Sequence, residues 1–145
     1  MATFYSSAVP AGGGSARGAK GGETVTRVAS YATTAKPTTS DSIQLVKIPH
    51  GAVITDIVQY GVVTDGDIHF ALGFSGATTT FGSATASATA RSVVVVTTAL
   101  PYTVSVSDDA QNRYATLLAS ITTASASVTT TNSFAWVVKY ICNGA

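Results

Sequence analysis

Charged residues are scarce in this sequence of 145 residues: Asp, Glu, Lys and Arg make up 10% of it, against roughly a quarter in an ordinary soluble domain. Thr, Ser, Ala and Gly take the place of the missing charge, while the hydrophobic share of 46% is ordinary. Charge of both signs normally keeps the surface of a small domain solvated and unassociated. We therefore expect copies of this chain, or another protein, to cover much of its surface. A monomer kept soluble by hydroxyl groups is the alternative.

Side chains that commonly carry catalysis are equally scarce. The chain has one glutamate, two histidines, His50 and His69, and one cysteine, Cys142. A single cysteine excludes an intramolecular disulfide, and its apolar C-terminal surroundings predict a buried thiol rather than an activated nucleophile. The sequence contains neither a G-x-S-x-G nucleophile elbow nor a P-loop pattern. We expect no enzymatic activity and no cofactor.

Two further patterns permit a ligand without favouring one. Asp65, Asp67 and His69 stand at alternate positions, so an extended strand would place them on one face, where they could bind a divalent cation. The preferred interpretation is a turn from Asp65 to Asp67 with His69 facing outward, and no metal site is predicted. Trp136, the single tryptophan, shares its strand face with large apolar residues. It is predicted to lie in the core rather than on a carbohydrate-binding surface.

Charge is distributed unevenly along the chain. The net charge of +1 argues against the basic stripe that nucleic-acid binding needs, yet residues 1–40 carry a balance of +3 and residues 41–145 a balance of −2. Residues 11–22, AGGGSARGAKGG, are rich in glycine. We predict a flexible or extended N-terminal arm over residues 1–22 and a β-domain over residues 23–145, with a passive tail as the alternative. The arm is predicted to bind a partner through Phe4, Tyr5, Val9, Arg17 and Lys20.

The sequence offers no sign of membrane targeting. Its start, MATFYSSAVPAGGG, lacks the basic region and the continuous apolar core of a signal peptide. No stretch approaches the length of about 20 apolar residues that a transmembrane helix needs. We expect a protein that is made in a cytosol and has no membrane partner.

Beyond residue 22, short runs of β-branched and aromatic residues alternate with turn residues. The segments IHFALGF and FAWVVKY show the period of two that is typical of strands, and Asp65-Gly66 predicts a tight hairpin. We predict an all-β, single-domain, jelly-roll-like sandwich or barrel of about eight strands with an extended N-terminal arm. The strands are placed at 24–31, 43–48, 53–63, 67–74, 91–98, 102–107, 114–121 and 134–141, and residues 78–90 are predicted to form a long loop.

Four segments resemble a known family: LVKIPHGAVITDIVQYG, DGDIHFALGFSG, RYATLLASITT and FAWVVKYI. They are similar to the small structural proteins encoded near the major capsid gene in tailed bacteriophages. In those proteins a strand ending in Ile-Pro-x-Gly-Ala leads into a long outer strand, a hairpin and a Leu-Gly or Val-Gly strand end, before a final pair of strands. The Thr/Ala-rich middle of this chain departs from that pattern.

The resemblance implies a capsid decoration or cement protein, a structural protein of the virion that binds the outer capsid surface. Its partner would be the major capsid protein, and it would hold capsomers together without catalytic residues. Together with the shortage of charge, this predicts a homodimer or homotrimer, made in the host cytoplasm, that binds no nucleic acid. A phage tail, fibre or baseplate component, or a glycan-binding receptor-recognition module, is the alternative function, and a small hydrolase or lyase is the third.

Overall fold

A computed structural model describes residues 3–5, 24–33, 38–39, 41–62, 66–87, 92–105, 114–124 and 132–142. Within these ranges no helix is long and apolar enough to cross a membrane. The regular structure there is entirely β, which confirms the predicted class. Its strands are β1 (Thr3–Tyr5), β2 (Thr24–Ala32), β3 (Ser42–Pro49), β4 (Val53–Val62), β5 (Asp67–Phe74), β6 (Ser83–Ser87), β7 (Ser92–Val96), β8 (Tyr102–Thr103), β9 (Tyr114–Ala124) and β10 (Ser133–Ile141).

The strands form two sheets. One has the order β1-β3-β9-β5-β6, and the other has the order β2-β10-β4-β7, with the short β8 paired to β4. When β1 and β8 are set aside, the remaining eight strands alternate between the sheets along the chain, except at the β5–β6 hairpin. This winding is that of a jelly roll. The prediction of a jelly-roll-like sandwich is therefore confirmed.

The core lies between the sheets and is rich in aromatic rings. The Phe70 ring meets the rings of Phe134 and Trp136 edge-on, at centroid distances of 5.1 and 5.6 Å. Such edge-to-face contacts suit the charge distribution of aromatic rings. The apolar residues at the alternating positions of β5 and β10 are all buried, as predicted: Ile68, Phe70, Leu72, Phe74, Phe134, Trp136, Val138 and Tyr140.

A β-bulge in β4 decides which of its side chains face outward. Ile54 and Ile57 are both fully buried, although strict alternation would place them on opposite faces. Lys139 pairs with Asp56 and the next residue of β10 pairs with Ile54, so Thr55 is the extra residue. The bulge changes the facing of every later residue in the strand. Residues 58 and 60 therefore point away from the core.

The predicted loop over residues 78–90 is wrong in part, because β6 lies within it and pairs with β5. The turn before β6 is also anchored, since the Phe81 amide donates to the Leu72 carbonyl at 2.9 Å and the Leu72 amide donates to the Gly82 carbonyl at 3.0 Å. Phe81 is buried against Phe74 and Tyr102. Backbone pairing and one aromatic side chain thus order a segment that has few bulky residues.

Strand β1 lies within the predicted arm, where no strand was expected. Thr3 and Phe4 pair in parallel with Ser42 and Ile43 at the edge of the first sheet. The Phe4 ring lies 5.4 Å from the ring of Tyr31 and is half-buried. Residues 6–23 fall outside the described ranges, so the boundary between arm and domain stays a prediction.

Candidate functional site: the two outer sheet faces

The outer face of the β2-β10-β4-β7 sheet carries a patch of exposed apolar side chains. Within the described ranges, the large hydrophobic residues that stay exposed are Val28 at 56%, Tyr60 at 40%, Val93 at 53% and Val95 at 62%. All four lie on this one face. We call it the valine face and define it by Val28, Val58, Tyr60, Val93, Val95, Ala135 and Val137.

Strand register arranges these residues in two neighbouring rows. Val28 pairs with Val137, Val137 pairs with Val58, and Val58 pairs with Val95. One row of valines therefore crosses all four strands. The adjacent row contains Ala135, Tyr60 and Val93 on β10, β4 and β7. In this row the small side chain of Ala135 on β10 therefore lies beside the large ring of Tyr60 on β4.

One row of opposite charges borders the valine row. Lys139 on β10 pairs directly with Asp56 on β4, and both are exposed. The hydroxyl of Thr55, the bulge residue, donates to the Lys139 carbonyl at 3.3 Å, which holds the two strands together at this point. Among the described residues, Lys139 and Asp56 are the charged side chains of this face, so its charges cancel.

The outer face of the opposite sheet has a different chemistry. A groove of about 620 Å³ runs along it beside β1. Most of the residues that line it are Ser, Thr or Gln, and the larger side chains are Lys47, Tyr114 and Leu118. The residues include Thr3, Ser42, Gln44, Lys47, Thr116 and Ser120. We call this surface the polar groove.

Lys47 and Tyr114 contact each other in the lining of the polar groove. The Lys47 Nζ donates to the Tyr114 hydroxyl at 3.1 Å and lies 4.4 Å from the centre of the same ring. The ring partly offsets the desolvation of the ammonium group and limits the rotamers of both side chains. The groove therefore presents a positive charge whose position is fixed by a contact between β3 and the start of β9.

The predicted partner-binding residues are only partly described. Phe4 packs on the β-sandwich beside Tyr31, so part of its apolar surface is used within the chain. Tyr5 pairs with Gln44 through the backbone at the sheet edge. Val9, Arg17 and Lys20 lie outside the described residues. Their role in partner binding stays a prediction.

The residues considered for catalysis or metal binding do not assemble into a site among the described residues. His69 lies on β5, where its Nδ1 and the Thr85 hydroxyl are 3.0 Å apart. His50 Nε2 lies 3.3 Å from the Ser105 carbonyl oxygen. Cys142 is a buried thiol, as predicted. The described residues contain no group of three or more metal-binding side chains, and Asp65 lies outside them.

Trp136 is fully buried, so it offers no surface to a sugar. Its indole N–H donates to Gln59 Oε1 at 2.9 Å. Gln59 is also fully buried, and within the described part of the chain its Nε2 has no hydrogen-bond partner. This polar pair in the core was not predicted, because no periodicity marks a glutamine as buried.

The fold is shared with proteins of known structure. A chain in the capsid of Ralstonia phage GP4 matches 99% of this chain and 100% of its own length, with a TM-score of 0.76 and 14% identity. A chain of the cyanophage Pam1 capsid asymmetric unit matches 88% of this chain and 91% of its own, with a TM-score of 0.65 and 22% identity.

A third chain, from the acid-stable capsid of Helicobacter pylori bacteriophage KHP30, matches 84% of this chain and 94% of its own, with a TM-score of 0.58 and 14% identity. These likenesses establish a common fold. No protein family model matches the sequence, and no curated protein matches it either. Because the identities are low, these likenesses say nothing about the roles of surface residues in this chain.

Proposed function

We propose that this chain is a structural protein of a phage virion that binds the outer surface of the capsid and stabilises the contacts between capsomers. The observation that carries the proposal is the correspondence of nearly the whole chain with one whole chain of the Ralstonia phage GP4 capsid. Coverage of 99% and 100% means that the fold described for this chain accounts for the whole of that capsid chain. A separate small subunit within a capsid fits a decoration or cement role.

The composition of the surface supports the proposal. A protein that works as a free monomer benefits from a charged surface, whereas this chain has 10% charged residues, so large parts of its surface lack charge. Binding to a large assembly would cover such surfaces. No enzymatic step is needed for this role, and we propose none.

The arm and the polar groove are the parts of the chain that we assign to the capsid contact. Thr3 of β1 lines the groove, so the arm begins beside it. Val9 supplies an apolar contact further along the arm, while Arg17 and Lys20 would pair with carboxylates of the major capsid protein. Several modest contacts of one subunit, repeated over neighbouring capsomers, gain affinity because each later contact is effectively intramolecular.

Reconstitution on capsids that lack the protein tests this function. Purified chain is added over a range of concentrations, and occupancy is measured by sedimentation and by electron microscopy of the particles. We expect saturable binding to the outer surface and a higher temperature of capsid disruption. Protein that leaves the particles unoccupied at every concentration, or that binds isolated tails instead, would refute the proposal.

Variants locate the contact. Ser120→Lys places a long charged side chain in the polar groove and is expected to weaken capsid binding. Thr123→Lys, on the same strand but at an exposed position outside the groove, is the matched control. Neutral substitutions at Arg17 and Lys20 should weaken binding more at low salt than at high salt, because salt screens exposed charges.

A further inference from the structure

We propose that the valine face is the interface of a two-fold dimer, in which a second copy of this chain packs its own valine face against it. The proposal goes beyond the capsid function and does not depend on it. It assigns a partner to the one described surface where large hydrophobic side chains stay exposed.

The choice of residue on this face is informative because valine and threonine have nearly the same shape. Both suit a strand, and the chain uses threonine at exposed strand positions of the other sheet, such as Thr122 and Thr123. On the valine face the hydroxyl is absent at positions that are more than half exposed, including Val28 and Val95. Strand formation alone does not require this. Contact with an apolar partner favours valine, because a hydroxyl buried there without a hydrogen bond would be unfavourable.

The register of the sheet makes the valine face complementary to itself. The central strands are β10 and β4. A two-fold axis that runs between them, parallel to the strands and in the plane of the interface, places β10 of one copy over β4 of the other. Lys139 then faces Asp56 of the second copy, because the two residues are register partners. Each interface would contain this pairing twice.

The same axis gives complementary shapes. Ala135 and Tyr60 are register partners on the two central strands, so the small side chain of one copy faces the large ring of the other. Val137 likewise faces Val58. An acidic or basic partner would not find a matching charge on this face, since its described charges are one Lys and one Asp. A second copy matches both the charge and the shape.

The size of the face is sufficient for a small stable dimer. Strands β2, β10, β4 and β7 have 9, 9, 10 and 5 residues, and a spacing of about 4.8 Å between strands with about 3.3 Å per residue gives a flat footprint of roughly 500 Å². The side chains increase the accessible area above that figure. Specific interfaces of standard size start at about 600 Å² on each partner, and two sheets that pack face to face in an aligned manner are a common arrangement.

Substitutions on the face test the proposal by sedimentation velocity and light scattering of the full chain. Val95→Lys places two ammonium groups in each two-fold interface, so we expect its dimer dissociation constant to rise by at least about 100-fold. Thr123→Lys adds the same charge on the other sheet and should leave the dimer unchanged. Val95→Thr keeps the shape and should give a smaller increase. Circular dichroism and thermal unfolding verify that each variant is folded.

Charge reversal identifies the partner as a second copy. Lys139→Asp leaves a face with two acidic residues, and Asp56→Lys leaves a face with two basic residues, so each variant alone should dimerise poorly. An equimolar mixture of the two should form heterodimers at least as tightly as the parent forms homodimers. A heterodimer that does not form in the mixture would refute the self-pairing.

The proposal would be overturned by a parent chain that is monomeric at about 100 μM, since stable dimers have dissociation constants well below that concentration. A homotrimer, or a Val95→Lys protein that dimerises like the parent, would also overturn it. The capsid experiment gives an independent answer. Capsid binding by a protein that stays monomeric would refute the dimer and leave the proposed function standing. A dimer that does not bind capsids would refute the proposed function and leave the dimer standing.

Discussion

The buried hydrogen bond between Trp136 and Gln59 predicts that removing a core polar group can stabilise the protein: Gln59→Leu should do so when Trp136 is already replaced by Phe. In the parent, the indole N–H is satisfied by Gln59 Oε1, while Gln59 Nε2 has no partner in the described part of the core. Gln59→Leu leaves the indole N–H unpaired but removes the unpaired Nε2. Since one unsatisfied donor replaces another, we expect Gln59→Leu to change the free energy of unfolding by less than about 1 kcal/mol.

Trp136→Phe, in contrast, increases the number of unsatisfied polar atoms in the core. It creates a cavity and leaves both polar atoms of the Gln59 amide unpaired in a fully buried position. An unsatisfied buried group costs about 1 to 3 kcal/mol. The double variant keeps the cavity but contains no orphaned polar group from this pair. Adding Gln59→Leu to Trp136→Phe should therefore stabilise the protein, with a coupling energy of about 1 to 3 kcal/mol.

Urea unfolding of the four proteins, followed by circular dichroism, measures this coupling. Fluorescence is unsuitable because Trp136 is the only tryptophan and two of the four proteins lack it. One protein concentration is used throughout, because self-association would add to the apparent stability. Additive effects, with a coupling energy within about 0.3 kcal/mol of zero, would show that the amide and the indole do not interact as the structure describes.

Other substitutions address the core, the β5–β6 turn and the edge strand. Trp136→Ala should cost about 3 to 5 kcal/mol in urea unfolding, as large-to-small core changes do; an unchanged midpoint would refute its burial. A Cβ at Gly73 would overlap the backbone of Ala77 and Thr78, so Gly73→Ala should lower the free energy of unfolding by about 1 to 3 kcal/mol. A variant as stable as the parent would contradict the close approach of this turn to Gly73. Phe4→Ala should lower it by about 1 kcal/mol, because the ring is half-buried; no loss would mean that β1 is not docked in solution. Deletion of residues 1–22 should cost at least as much as Phe4→Ala and should also weaken capsid binding, while equal capsid occupancy would show the arm to be passive.

The positions of most strands could be predicted from the sequence because the period of two is strong in them. Strand β5 begins at Asp67 and ends at Phe74, as predicted, and β4 begins at Val53 as predicted and ends at Val62. Strands β1 and β6 could not be predicted. Their three and five residues carry little apolar pattern, and they form because a neighbouring strand offers backbone partners.

The valine face could not be predicted for a related reason. The run SVVVV in β7 has no alternation, so it does not tell which valines face outward. In β4 the bulge at Thr55 reverses the facing of the residues that follow. Without the bulge, Gln59 would be assigned to the surface and Val58 to the core. Only the register with β10 shows the actual arrangement.

The shortage of charge in the sequence finds a physical explanation in these two faces. A charge that becomes buried in an interface without a partner is strongly unfavourable, so surfaces that will be covered should carry few charges and should pair those they have. On the valine face the described charges are Lys139 and Asp56, which are neighbours of opposite sign. In the polar groove Lys47 is held by the Tyr114 ring and hydroxyl. The few charges of both faces therefore agree with the two proposals, in which a second copy covers the valine face and the capsid covers the polar groove.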